Sequence, residues 1–150
     1  RYFFIMRNIN THLNFELKIA KEQSDVNPIF YLQYAHARIC TMIRKAEDLN
    51  LNISNDRNLN LLCETMENDL MNSMINFENI IKKSYEKLDP QIISNYLEEL
   101  ASKFHKYYSK YKVICDNKDL SESRLFLINN LRIVLRNGLN VLGIKEKDRM

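Results

Sequence analysis

Two tyrosines and an arginine, Tyr31, Tyr34 and Arg38, recur at spacings of three and four in the segment that follows Pro28. In a helix of about 3.6 residues per turn, these side chains and Lys45 share one edge that is about 60° wide. Aromatic rings beside a guanidinium form a platform on which unpaired bases stack, while the cation binds phosphate. The same spacing is also typical of tyrosines that border a core, so the pattern alone leaves both interpretations open.

A second polar edge occurs late in the chain, where Asn129, Arg132, Arg136 and Asn140 alternate with leucine, isoleucine and valine. Such an edge suits either a solvated helix face or contact with an RNA backbone. Gly138 in the same predicted helix costs about 1 kcal/mol relative to alanine. We therefore expect another helix or a ligand to approach closely at that position.

Lysines and tyrosines also alternate in one predicted helix, which contains Lys103, Lys106, Lys110, Tyr107, Tyr108 and Tyr111. Basic and aromatic side chains in one place favour nucleic acid, although lysines on a solvated face are ordinary. The chain has a formal net charge of +3, which is a mild basic bias. Charge alone would therefore not explain binding to nucleic acid, and stacking and shape must contribute.

No motif in the sequence indicates catalysis or metal binding. The histidines His12, His36 and His105 have no metal-ligand spacing with cysteine or with one another, and we expect His36 to be a partly buried structural residue. With two glycines in all, the chain has no glycine-rich loop for phosphate. Its three cysteines are far apart without a CxxC pair, which predicts buried or half-buried free thiols in a reducing cytoplasm. We therefore predict no catalytic residue, no metal site and no cofactor in this chain.

The elements that must position these residues are helices. Few glycines and prolines and an apolar period of three and four predict an all-α fold, a helical bundle of about five helices. Asn27-Pro28 and Asp89-Pro90 are typical helix starts, and Gly143 is a typical residue just after a helix end. The predicted helices cover residues 28–49, 61–76, 77–87, 90–114 and 121–142.

Residues 1–26 have a different character, with a short apolar piece over 1–7 and a short amphipathic helix over 15–23. We interpret them as the tail of a preceding domain, with a boundary near residues 24–27, and residues 27–150 as a separate helical domain. No apolar run approaches the ~18–20 residues that cross a bilayer, so no membrane association is expected.

Residues 27–40, NPIFYLQYAHARIC, closely resemble the start of the helical anticodon-binding domain of arginyl-tRNA synthetase. Further segments resemble that family in the same order: RYFFIMR at 1–7, NYLEELA at 95–101, FHKYY at 104–108, RIVLRNGL at 132–139 and the final Arg149-Met150. The resemblance spans nearly the whole chain, although residues 50–74 resemble the family only loosely.

The resemblance implies a part of an enzyme that joins arginine to its tRNA with ATP and magnesium. In that family the helical domain binds the anticodon stem and loop, where the middle cytosine is an identity element. Tyr31, Tyr34 and Arg38 match residues that contact the anticodon side of the tRNA, and Met150 matches a residue near the same pocket. We expect Arg132 and Arg136 to hold phosphates.

The expected partners are arginine tRNA and the enzyme's own catalytic domain, to which residues 1–26 would belong, in a cytoplasmic monomer. Both ATP-binding motifs of the family are missing, so this chain alone should not aminoacylate. The alternatives are a helical protein-interaction module without RNA binding, an enzyme in its own right, and another class I synthetase. The YxxYAHAR run at 31–38 favours arginine over cysteine or methionine specificity.

Overall fold

The structure is a computed structural model, and it describes residues 1–7, 15–53 and 58–150. Its helices are α1 (Tyr2–Ile5), α2 (Leu17–Lys21), α3 (Pro28–Asp48), α4 (Thr65–Ile75), α5 (Phe77–Lys87), α6 (Gln91–Lys110) and α7 (Lys118–Val141), with a 3₁₀ turn at Leu59–Leu61. Within the described ranges there is no strand, which confirms the predicted all-α fold. None of the described helices is long and apolar enough to cross a membrane. The prediction about His12 lies outside the described residues.

The five long helices α3–α7 form the predicted bundle. Their ends are set by capping side chains and backbone conformation, and not by the apolar period alone. The Asn27 side chain accepts a hydrogen bond from the Phe30 amide, so α3 begins where predicted. Asn117 accepts one from the Leu120 amide, which starts α7 three residues before the predicted position. Helix α6 ends at Lys110, four residues early, because Tyr111 adopts an extended conformation.

The core lies where α3, α6 and α7 meet. Large side chains from all three helices are fully buried there, among them Leu32, Ile39, Leu97, Phe104, Leu131 and Leu135. Helices α4 and α5 pack against α6 from its other side. Of the three cysteines, all of which are free, Cys40 is buried and Cys115 is half-buried, but Cys63 is exposed because it follows the surface 3₁₀ turn.

At Gly138 helix α6 approaches α7 closely, which agrees with the close approach by a helix or a ligand expected at this glycine. A Cβ atom at Gly138 would lie 2.5 Å from Cδ2 of the buried Leu97, so the neighbour is another helix. Gly143 has φ +67°, a conformation that side chains rarely adopt. The Gly143 and Ile144 amides donate back to the carbonyls of Asn140 and Leu139, which closes the end of α7.

A buried ion pair joins three of the helices. The Glu67 carboxylate on α4 is fully buried and accepts a 2.7 Å hydrogen bond from Nε of Arg124 on α7. The same oxygen accepts a 3.1 Å hydrogen bond from the hydroxyl of Tyr107 on α6, and the other oxygen accepts one from the Glu64 amide. Both carboxylate oxygens are thus hydrogen-bonded, which a buried charge requires.

We predict that Arg124→Met lowers the unfolding free energy by about 3–5 kcal/mol, because the buried Glu67 carboxylate would lose its counter-charge. Urea unfolding followed by circular dichroism measures the change. Lys82→Met, which breaks the exposed pair with Glu78 on α5, is the matched control and should leave the midpoint unchanged. Equal midpoints for wild type and Arg124→Met would contradict the structural role given to this pair.

Candidate nucleic-acid interface

Helix α3 presents the predicted edge to one side and the core residues to the other. Tyr31, Tyr34 and Arg38 are each half-buried, whereas Leu32 and Ile39 on the inner face have no exposed surface. The three side chains therefore rest on the bundle and still reach solvent, so the edge has both properties that the spacing left open.

Arg38 lies between two tyrosine rings from different helices. Its guanidinium carbon is 4.8 Å from the centroid of the Tyr34 ring and 4.4 Å from that of Tyr108 on α6. Each cation–π contact of this kind stabilises the pair by about 0.5–2 kcal/mol and fixes the plane of the guanidinium. Among the described residues, none accepts a hydrogen bond from Arg38. Its N–H donors are thus held in place and remain available for a ligand.

His105 on α6 packs against both tyrosines. Its ring centroid is 4.5 Å from that of Tyr31 and 5.7 Å from that of Tyr34, and the Tyr34 and His105 rings are nearly parallel. Burial lowers the pKa of His105 and the positive charge of Arg38 adds to the effect, while a hydrogen bond with the Tyr31 backbone opposes it. A neutral imidazole at neutral pH suits this place, because a second positive charge beside Arg38 would be repelled.

A cleft of about 300 Å³ opens at this edge and is lined by Tyr34, Ala37, Arg38, Thr41, Met42, Tyr108 and Met150. Small ligand sites begin at about this volume, so the cleft has room for one nucleobase. The structure thus brings three predicted site residues, Tyr34, Arg38 and Met150, into one cavity. Tyr31 does not line the cleft; it packs on His105, which packs on Tyr34.

Met150 reaches the cleft because residues 145–150, the C-terminal tail, lie along α3. Gln33 donates a 2.8 Å hydrogen bond to the Lys145 carbonyl, and Nδ1 of His36 lies 2.9 Å from the Lys147 carbonyl. The guanidinium of Arg44 donates to the Asp148 carbonyl at 3.2 and 3.3 Å. His36 is 1% exposed, so it is more deeply buried than predicted, and its contact holds this tail.

His36, Cys40 and Asp148 form the one group in the described residues whose donor atoms are close enough to share a metal ion, all within 4.8 Å. These groups instead serve one another as partners, because the Cys40 thiol donates to the Asp148 carboxylate and Nδ1 of His36 lies beside the Lys147 carbonyl. Burial raises the pKa of the Cys40 thiol, although the nearby Arg132 guanidinium opposes this, and a metal would require the thiolate. We assign the group to fixing the tail.

Arg132 and Arg136, the two arginines of α7 expected to hold phosphates, lie apart from the tyrosine cleft. Arg132 lies near Cys40, whose thiol pKa its positive charge lowers, and Cys40 stands on a stripe of α3 about 120° from Tyr34 that the tail covers. Arg136 is exposed one turn further along α7. Neither side chain lines the cleft, so a role in holding phosphates would require a separate part of the surface.

Sequence reasoning missed Tyr108 and His105 as site residues. Both lie in the FHKYY segment of α6, and only the packing of α6 on α3 shows that they meet Tyr34 and Arg38. The alternation of lysine and tyrosine in α6 was a usable signal, but it did not show which of the three tyrosines faces the cleft. Tyr107 is buried on Glu67 and the Tyr111 hydroxyl donates to Glu64, whereas Tyr108 faces the cleft.

An all-α bundle with a half-buried arginine between aromatic rings in a small open cleft fits a helical domain of the nucleic-acid-binding class. The sequence identifies the family within that class. Residues 32–150 match the model of the DALR anticodon binding domain, and the chain belongs to this family.

Individual relatives agree with this assignment. The chain is 40% identical over 151 residues to the arginine–tRNA ligase of Listeria monocytogenes serotype 4b (strain CLIP80459) and 40% identical over 152 residues to that of Desulforamulus reducens. Both alignments cover all of this chain and 27% of the relative, so the chain spans about a quarter of the length of these relatives. The structure of Thermus thermophilus arginyl-tRNA synthetase superimposes with a TM-score of 0.85 at 26% identity, over 99% of this chain and 25% of that one.

We predict that His105→Gln weakens the acid sensitivity of the fold. Because the pKa of His105 in the folded chain lies below its usual value of 6.5, unfolding takes up a proton at pH values between the two. The wild type should therefore lose unfolding free energy as the pH falls below about 6.5, and the variant should lose less. Urea unfolding at about pH 7.5 and about pH 5.5 measures both slopes, and parallel slopes would show that His105 is not a buried neutral base.

Proposed function

We propose that this chain binds the anticodon stem and loop of arginine tRNA, and that the cleft at Arg38 receives an unpaired base of the loop. The observation that carries the proposal is the guanidinium of Arg38, which is half-buried between Tyr34 and Tyr108 and has no acceptor among the described residues. A fixed planar donor beside aromatic faces suits an unstacked base, which offers both a π-face and a pairing edge.

The chemistry of the cleft favours cytosine. A cytosine presents two neighbouring acceptors, O2 and N3, on its pairing edge, and two parallel N–H groups of a guanidinium match them. Uracil presents an N3–H donor at the same place, which would face the cation without an acceptor. Arg38 would therefore read the middle base of the anticodon, while Tyr34, Tyr108 and the Met150 side chain enclose it.

The longer protein would be an ATP-dependent arginine–tRNA ligase that acts as a cytoplasmic monomer. ATP and magnesium would bind outside this chain, because its two glycines provide no glycine-rich loop for phosphates. Residues 1–26 would form the end of the catalytic domain. Exposed Phe4, Phe15, Leu17 and Val26 support this, since they are large apolar side chains on one short segment.

The N-terminal segment would also connect the catalytic domain to α6, the helix that carries Tyr108. Tyr2 is buried, and its hydroxyl donates a 2.6 Å hydrogen bond to the Glu98 carboxylate on α6. Nη1 of Arg1 donates to the Gly143 carbonyl after α7, and Gln91 of α6 donates to the Met6 carbonyl. These contacts support a fixed orientation between α1 and the helical bundle.

We expect Tyr34→Ala to weaken binding to an arginine tRNA transcript by roughly tenfold to a hundredfold, because stacking on an aromatic ring contributes about 1–3 kcal/mol per base. Arg38→Lys should keep the charge but lose the preference for cytosine at the middle anticodon position, since an ammonium lacks the planar pair of donors. Calorimetric titration with the transcript and with a variant in which that cytosine is replaced by uracil measures both effects.

Lys106→Ala is the matched control, because Lys106 is an exposed residue of α6 that does not line the cleft. Its effect should be smaller than that of Tyr34→Ala and confined mainly to low salt. Equal binding of both transcripts by the wild type would contradict the anticodon-reading role. It would favour the alternative of a helical protein-interaction module, which predicts no preference between tRNAs.

A further inference from the structure

A second cleft opens beside the first and shares two of its lining residues, Met42 and Tyr108. It has a volume of about 570 Å³ and lies between the second half of α3 and the turn that follows α6. Met42 and Tyr108 thus form a border between the two clefts, which lie side by side. A strand whose base enters the first cleft could place its neighbouring backbone in the second.

The second cleft has the charge of a phosphate site. Three exposed lysines line it, Lys45 from α3 and Lys110 and Lys112 from the end of α6 and the following turn. The described lining residues of this cleft include no carboxylate. A cleft of similar size between α4 and α6 holds Asp69 and Glu99 beside its lysines, so it lacks this uniform sign.

The lysines of the turn stand on a backbone that is fixed from inside the protein. Nη1 of Arg124 donates a 2.9 Å hydrogen bond to the Lys112 carbonyl, and the Tyr111 hydroxyl donates to the Glu64 carboxylate at 2.8 Å. The Lys110 ammonium lies 5.1 Å from the centroid of the Tyr111 ring. The cationic groups are thus presented by a rigid turn, which lowers the entropy lost when they bind an anion.

We infer that the second cleft holds the sugar–phosphate backbone of the unpaired strand next to the base at Arg38, with Lys45, Lys110 and Lys112 on its phosphates. This inference rests on the proposed function. It assigns a different role to each cleft: the first recognises a base, and the second positions the strand through its phosphates, independently of sequence.

The test is the salt dependence of binding by the 150-residue chain to an arginine anticodon stem-loop. The triple variant Lys45→Ala/Lys110→Ala/Lys112→Ala should bind roughly tenfold to a hundredfold more weakly at about 0.1 M salt. The slope of log affinity against log salt should fall by about 0.7 for each lysine that contacts a phosphate of a single strand. The preference for cytosine over uracil at the middle position should stay the same, because phosphate contacts carry no sequence information.

Two further variants separate position from net charge. Lys82→Ala/Lys83→Ala/Lys87→Ala removes the same charge from α5, a helix that packs on α4 and α6, and should keep most of the salt slope. Replacing Lys45, Lys110 and Lys112 with arginine should restore the wild-type slope. Circular dichroism and the urea midpoint check that each variant is folded.

The outcomes distinguish this inference from the proposed function. If the wild type discriminates cytosine from uracil but both alanine triples have equal slopes, the second cleft is not the phosphate path, and the proposed function stands. If the wild type does not bind the stem-loop, both are overturned. If the cleft triple loses base preference and keeps its salt slope, the lysines support the Arg38 cleft and do not contact the strand.

Discussion

The position of the interface depends on the buried pair of Glu67 and Arg124. Glu67 brings α4 to α6 and α7 through its contacts with Tyr107 and Arg124, and each of its oxygens has a partner. Arg124 also donates from Nη1 to the Lys112 carbonyl, so the charge that neutralises the carboxylate also fixes the turn after α6. A buried ion pair often contributes little net stability compared with an apolar pair, but it specifies one arrangement of helices. Here the ion pair also specifies the position of the surface turn at Lys112, because Arg124 bonds to the backbone of that turn.

The cleft itself is assembled from three separate parts of the chain. Helix α3 supplies Tyr34 and Arg38, α6 supplies Tyr108 and supports Tyr34 through His105, and the tail supplies Met150. The ring contacts hold the guanidinium in a defined plane, and hydrogen bonds from Gln33, His36 and Arg44 hold the tail through its backbone carbonyls. Because these bonds use carbonyls, they depend on the path of the tail more than on its side chains.

The helices could be predicted from the sequence, since their apolar period and their caps are local signals; Phe77–Lys87, for example, begins and ends where predicted. The end of α6 could not, because Tyr111 and Ile114 keep the helical period while they pack in a turn that Arg124 holds. The Tyr31, Tyr34 and Arg38 edge was visible as a pattern. Its partners Tyr108 and His105 were not, because they depend on how α6 crosses α3. The grouping of His36 and Cys40 with Asp148 was also invisible, since 108 residues separate Asp148 from Cys40.

The missing side chain at Gly138 has a mechanical consequence for α6. Leu97 occupies the space that a Cβ would fill, so α6 cannot slide along α7 without a clash with the neighbouring turns. Glu98, one residue further on, bonds to Tyr2, and Tyr108 stands ten residues later, about 15 Å along the same helix. Helix α6 is therefore fixed along its axis at Leu97, with α1 attached one residue away and the cleft near its other end, which Glu67 and Arg124 hold. A shift of Tyr108 along the axis of α6 would be opposed at both ends of the helix.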